Sequence, residues 1–172
     1  MDIDQLLDLV QAKLDRLTAP AAARRMGEDA ILVDIRPEFQ RRADGEIPGA
    51  VVIDRNHLEW RCDPRSRARI PEAIDHDVAW IVLCDEGYSS SLAAASLQQI
   101  GLPRATDVIG GFRAWRAAGL PVVYPSTPTP PRLYRSHDPE GVVIATQRLS
   151  DHGEAASSGA HSPPIVGSRQ PG

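Results

Sequence analysis

The chain has 172 residues, 42% of them hydrophobic, and a formal net charge of −4. That suffices for one domain with a tail, and it excludes a strongly basic nucleic-acid binder. Two cysteines do not make a disulfide scaffold, no apolar run approaches the ~20 residues that cross a bilayer, and the acidic start Met1-Asp2-Ile3-Asp4 is unlike the basic opening of a secretory signal.

In chain order, Asp4 is placed to cap a first helix with Leu7, Val10, Leu14 and Leu17 on one face. Thr18-Ala19-Pro20 opens a second helix, with proline in its first turn. Ala30 to Asp34 reads as a short apolar strand stopped by Pro37, and Glu38 to Ala43 as a helix ended near Gly45. Ala50 to Ile53 reads as the next strand, and residues 55–61 as a helical turn. The span 63–77 is polar and carries no clear periodicity. Val78 to Leu83 is a buried strand, Ser89 to Ile100 a helix and Thr106 to Ile109 a further strand. Gly111 to Ala118 is a short helix closed by Gly119. Apolar strands separated by helices predict an α/β fold, with a parallel sheet covered on both faces.

Composition changes at Pro125. Eight of the fifteen prolines fall in the last 48 residues, and from Ser150 the chain is rich in Gly, Ser and Pro, which predicts a largely flexible tail. Gly141 to Ala145 is a weak candidate strand within it. The expected organisation is an N-terminal helix over 1–17, a domain over 18–124 and a tail over 125–172.

The strand-to-helix junction at Cys84 carries the chemistry. Cys84 closes the apolar run Trp80-Ile81-Val82-Leu83 and opens the turn Asp85-Glu86-Gly87-Tyr88-Ser89-Ser90 ahead of an alanine-rich helix. Such a loop aims backbone N–H groups at the end of the strand. A sulfur there ionises more easily, and the thiolate is the reactive form. In an open parallel sheet, ligands sit at the carboxyl ends of strands. Cys84 is therefore the candidate nucleophile, with Asp85, Glu86, Gly87, Tyr88, Ser89 and Ser90 as the candidate substrate-binding loop. Gly87 lets the loop turn, Ser89 and Ser90 are placed to cap the helix and donate hydroxyl hydrogen bonds, and Tyr88 is placed to wall a pocket. Cys62 has no comparable setting and reads as an inert thiol. Asp34 and Arg36 read as a structural ion pair, Gly110-Gly111 as a strand-to-helix turn and Trp115 as core. His57, His76 and the cysteines lack zinc-ligand spacing, so no metal is expected, nor any other cofactor.

Three segments together resemble the single-domain rhodanese sulfurtransferases. They are Val33-Asp34-Ile35-Arg36 with Gly45-Glu46-Ile47-Pro48-Gly49-Ala50, Cys84 with its loop, and Val108-Ile109-Gly110-Gly111-Phe112-Arg113-Ala114-Trp115 with Ala118-Gly119-Leu120-Pro121-Val122. The resemblance spans roughly residues 18–124. It implies a central, mostly parallel five-stranded sheet flanked by helices, and a persulfide intermediate on Cys84. The chain departs from the family pattern at the loop, which usually reads Cys-x-x-Gly-x-Arg. Here Ser89 holds the arginine position, Asp85 and Glu86 follow the cysteine, and the loop has no positive side chain. The phosphatases that share the fold need Cys-x5-Arg, and that position is Ser90, which argues against phosphate chemistry.

Sulfur transfer needs a thiolate and then a stabilised Cys–S–S⁻, and converging N–H donors serve both. Asp85 and Glu86 oppose ionisation, so the sign of the Cys84 pKa shift is left open by the sequence. The same carboxylates point to neutral, zwitterionic or cationic persulfides, or a partner protein's persulfide, as donors in preference to small dianions. The expected partners are a small-molecule or protein persulfide donor, a thiol or cyanide acceptor, and a protein docked on the C-terminal tail, with neither nucleic acid nor membrane. The expected setting is the cytoplasm. The alternative is a rhodanese-fold interaction or persulfide-sensing module without much turnover.

Overall fold

Local sequence sets the element boundaries of the computed structural model, which describes residues 1–124. Helix α1 spans Ile3–Gln11 and is capped by Asp2, two positions earlier than the Asp4 expected. Asp2 accepts from the Gln5 N–H at 2.9 Å, and the Gln5 side chain accepts from the Asp2 N–H at 3.1 Å. This reciprocal capping box satisfies two orphan donors, which Asp4 cannot do from inside the first turn. Because α1 stops at Gln11, Leu14 and Leu17 lie beyond it. Helix α2, Ala19–Glu28, has Thr18 as its cap and Pro20 in its first turn, as expected.

The strands are β1 Ala30–Asp34, β2 Val51–Val52, β3 Ala79–Leu83 and β4 Thr106–Asp107. They form one parallel sheet in the order β2-β1-β3-β4. The expected α/β architecture is present, but with four strands where five were expected. In the fifth position Leu17 makes only an isolated parallel bridge to Val108 beside β4. Residues 50 and 53 fall outside β2, so that edge strand is shorter than its apolar run. The remaining helices are α3 Glu38–Asp44, α4 Leu58–Cys62, α5 Ser89–Gln99 and α6 Gly111–Ala117, with a single 3-10 turn at Arg55–His57 ahead of α4. No helix among the described residues is long and apolar enough to cross a membrane. The candidate strand at 141–145 and the tail lie outside the described residues.

Strand β3 is buried along its whole length, as a central parallel strand must be when helices cover both faces. Its side chains alternate. Trp80 and Val82 join the layer under α4 and α5, with Leu58, Ala93 and Leu97. Ile81 and Leu83 join the opposite layer under α2 and α6, with Ala22, Phe112 and Trp115. Burial of each large side chain contributes about 1.5–3 kcal/mol. The parity continues past the strand, so Cys84 turns toward the α5 layer with Val82. Cys84 thus stands at the carboxyl edge of the sheet, with the ends of β1 and β4 on either side.

Candidate active site

The chain from Cys84 to Ser90 closes on its own sulfur. The Gly87 N–H donates to Cys84 Sγ at 3.1 Å and the Ser90 N–H at 3.4 Å. Gly87 makes this turn at φ +84°, and a Cβ there would sit 2.7 Å from the Gly110 nitrogen and 2.9 Å from the Val108 carbonyl oxygen. Only glycine satisfies both the backbone angle and the space. Ser89 and Ser90 do not cap α5 as expected: the helix begins after Tyr88 with no side-chain cap. The sulfur takes the Ser90 N–H that a capping oxygen would have taken.

A second element holds the loop from outside. The N–H groups of Phe112 and Arg113, in the first turn of α6, donate to the carbonyls of Cys84 and Asp85 at 2.8 and 3.1 Å. A Cβ on Gly111 would fall 2.4 Å from the Cys84 carbonyl oxygen, so the glycine pair at 110–111 is what lets α6 approach. With its carbonyls turned to α6, the loop is left with N–H groups facing the sulfur.

Cys84 is a free thiol, buried to 6% exposure. Burial pushes its pKa up. The hydroxyls of Ser89 and Ser90 and the N–H groups of Ser90 and Gly87 outweigh burial and hold it below the ordinary thiol value. This answers the sign left open by the sequence. Cys62 is the contrast: fully buried with Glu59 nearby, its thiol is pushed up to about 12.

The loop carboxylates are not free. Arg113 of α6 holds Asp85 Oδ2 at 2.9 Å and also pairs with Glu86. The positive charge missing from the loop is supplied across the cleft, 28 residues away in sequence. It faces two carboxylates, so the trio keeps one net negative charge. These groups line a cleft of about 440 Å³ in front of Cys84. Pro37 and Gln40 form the far wall, and Tyr88 lines the mouth with more than half its surface exposed. Arg36 pairs with Asp34 at 2.7 Å, both buried, and stacks its guanidinium 3.5 Å from the centre of the Phe112 ring. Trp115 is core, as expected.

Beneath the loop lies a buried network that the sequence reading did not anticipate. Asp107, at the end of β4, is fully buried. Arg16 clasps it through Nε at 2.8 Å and Nη2 at 3.1 Å, and Arg16 Nη2 also donates to the Gly87 carbonyl at 2.9 Å. The hydroxyls of Ser90 and Ser91 lie 3.0 and 2.8 Å from Asp107 Oδ2. An acid in a run otherwise destined for the sheet was the available signal, since a buried carboxylate requires a cation. Arg16 itself, 91 residues away, had no mark in the sequence.

Residues 18–118 match the rhodanese-like domain family. A sulfurtransferase from Allochromatium vinosum is 37% identical over 57% of this chain and 82% of its own length. The thiosulfate sulfurtransferase GlpE of Pseudomonas aeruginosa is 38% identical over 63% of this chain and 86% of its own. Among solved structures, a Rhodopseudomonas palustris protein of unknown function, described as a possible tyrosine phosphatase, superposes with a TM-score of 0.65 at 33% identity, covering 72% of this chain and 95% of that one.

Proposed function

The chain belongs to the rhodanese-like domain family, and on that premise we propose that it is a sulfurtransferase that carries sulfane sulfur as a persulfide on Cys84. The observation that carries this reading is the pair of N–H groups, from Gly87 and Ser90, aimed at one sulfur. The Cys84 thiolate attacks the outer sulfur of a donor R–S–S⁻. The donor's S–S bond breaks, R–S⁻ leaves with the electron pair, and Cys84–S–S⁻ forms. An acceptor thiolate then attacks the terminal sulfur, and Cys84 leaves as the thiolate; with cyanide as acceptor the product is thiocyanate. The sulfane sulfur and its charge balance through both steps, so no external oxidant is required. The loop donors serve the thiolate and then the persulfide, as oxyanion-hole donors serve a developing negative charge.

The donor class follows from the cleft. The relatives include enzymes named for thiosulfate. Here a thiosulfate dianion would approach Asp85 and Glu86, and the nearby Arg113 is already occupied by both. Persulfides that are neutral, zwitterionic or cationic, or carried on a partner protein, avoid that repulsion. Two free cysteines accord with a cytoplasmic setting for this exchange. Phosphate hydrolysis is disfavoured, because Ser90 occupies the place where a phosphatase loop would present arginine.

Intact-mass spectrometry tests this reading. Incubation with a low-molecular-weight persulfide should add about 32 Da, one sulfur, and cyanide or a thiol should discharge it. The adduct should be absent in Cys84→Ser. No adduct on the wild-type chain, or an adduct that survives Cys84→Ser, would overturn the proposal.

A further inference from the structure

The Ser90 hydroxyl lies between two claimants. Its oxygen is 3.2 Å from Cys84 Sγ and 3.0 Å from Asp107 Oδ2. A serine hydroxyl has one hydrogen to give and two lone pairs to receive with, whereas a carboxylate only accepts. Both partners therefore compete for one hydrogen as soon as the sulfur ionises.

We propose that Asp107 is a positioning residue that withholds the Ser90 hydrogen from Cys84, so that the serine favours the thiol at rest and turns its hydrogen to the sulfur only when charge appears there. In the resting arrangement Ser90 donates to the carboxylate, a charge-assisted bond. Its lone pair then faces the sulfur, where only an S–H matches it. When sulfur carries the charge, as thiolate or as the inner atom of a persulfide, rotation about the Ser90 Cβ–Oγ bond redirects the hydrogen. Asp107 tolerates the loss because Arg16 still gives it two bonds and the Ser91 hydroxyl lies 2.8 Å away. The uncontested donors to the sulfur are then the two backbone N–H groups.

The other charged groups around the sulfur are paired. Asp85 and Glu86 of the loop are held by Arg113 from α6, and Asp34 of β1 by Arg36. Arg16 faces the network from the segment after α1, α5 contributes only serines there, and Tyr88 stands at the cleft mouth. Asp107 is thus the acidic group joined to Cys84 through a single hydroxyl.

This inference rests on Cys84 being the nucleophile, but its test needs no sulfur donor. The pH dependence of Cys84 alkylation by iodoacetamide, followed by mass, reads the thiol directly. Cys62, with its pKa pushed up to about 12, stays silent at neutral pH. Asp107→Asn should lower the Cys84 pKa by about one unit, roughly tenfold in rate on the acidic side, which is the scale of one hydrogen bond. Ser90→Ala should raise it by no more than about half a unit, because the hydrogen it removes reaches the sulfur only by leaving the Asp107 carboxylate. The double variant should match Ser90→Ala alone, as expected for residues acting through one another. An unchanged or raised pKa in Asp107→Asn, or a fall that persists without the Ser90 hydroxyl, would overturn the inference. Should Asp107→Asn fail to fold, Ser90→Ala decides alone: a rise beyond half a unit refutes it, and the absence of such a rise supports it. A chain that alkylates as described yet never accepts sulfur would refute the proposed function and leave this inference standing.

Discussion

Cys62 and Cys84 are both free, both buried and both packed in the same hydrophobic layer, yet their acidities move in opposite directions. Cys62 ends α4 among apolar neighbours, with Glu59 one turn away. Cys84 ends the strand side of a loop whose N–H groups converge on it. Burial penalises the thiolate at both positions. What differs is the set of hydroxyl and N–H donors, so reactivity in this chain follows from the donors around a cysteine and not from its exposure.

The sharpest way to break the contrast is to exchange the sulfur itself. Cys84→Ser should reduce sulfur transfer by more than about 10³-fold in a thiocyanate assay. Next comes the backbone. Gly87→Ala forces a Cβ against Gly110 and Val108 at φ +84°, and should lower activity by about 10²-fold and stability by roughly 1–3 kcal/mol. An intact rate in Gly87→Ala would mean that the loop donors are dispensable.

The two thiols should also separate in the pH dependence of stability, measured by urea unfolding. The folded pKa of Cys84 is lowered, so its contribution is present above the unfolded thiol pKa of about 8.5 and is lost as pH falls through the folded value. The folded pKa of Cys62 is raised to about 12, so stability falls as pH rises from about 8.5 toward that value. Each unit of gap corresponds to about 1.4 kcal/mol. Cys84→Ser should abolish the rise below pH ~8.5, and Cys62→Ala should flatten the fall above it.

Smaller effects sharpen donor choice. Asp85→Asn with Glu86→Gln frees Arg113 and should improve thiosulfate relative to a cationic persulfide by about 3–10-fold at low salt. An unchanged ratio would show that the acidic pair is only a solvated turn. The least effect is expected from Cys62→Ala, with activity within about twofold of wild type.

How far the sequence reached depends on how local each determinant is. Strands β1 and β3 were legible because β3 is apolar along its whole length and β1 up to its terminal Asp34, as central parallel strands require. The Asp34–Arg36 pair was legible because its members are two residues apart. The bounds of β2 were less so, since an edge strand ends where its single neighbour ends, at the Asp34↔Val52 register. The cap at Asp2 was less legible than Asp4 because it depends on a reciprocal pairing with Gln5, three residues on. The Arg113 clamp and the Arg16–Asp107 clasp are tertiary, joining residues 28 and 91 positions apart, and neither half predicts the other. That is why the loop looked uniformly acidic in sequence while the folded cleft contains a cation.

The most direct measurement is the rate of alkylation at each cysteine against pH in the native protein, resolved by peptide mass. Cys84 should titrate below the ordinary thiol value of about 8.5, and Cys62 should stay unreactive until the chain unfolds. Equal reactivity at the two sites, or a Cys84 that titrates above a model thiol, would contradict the claim that converging hydroxyl and main-chain donors make this sulfur a nucleophile.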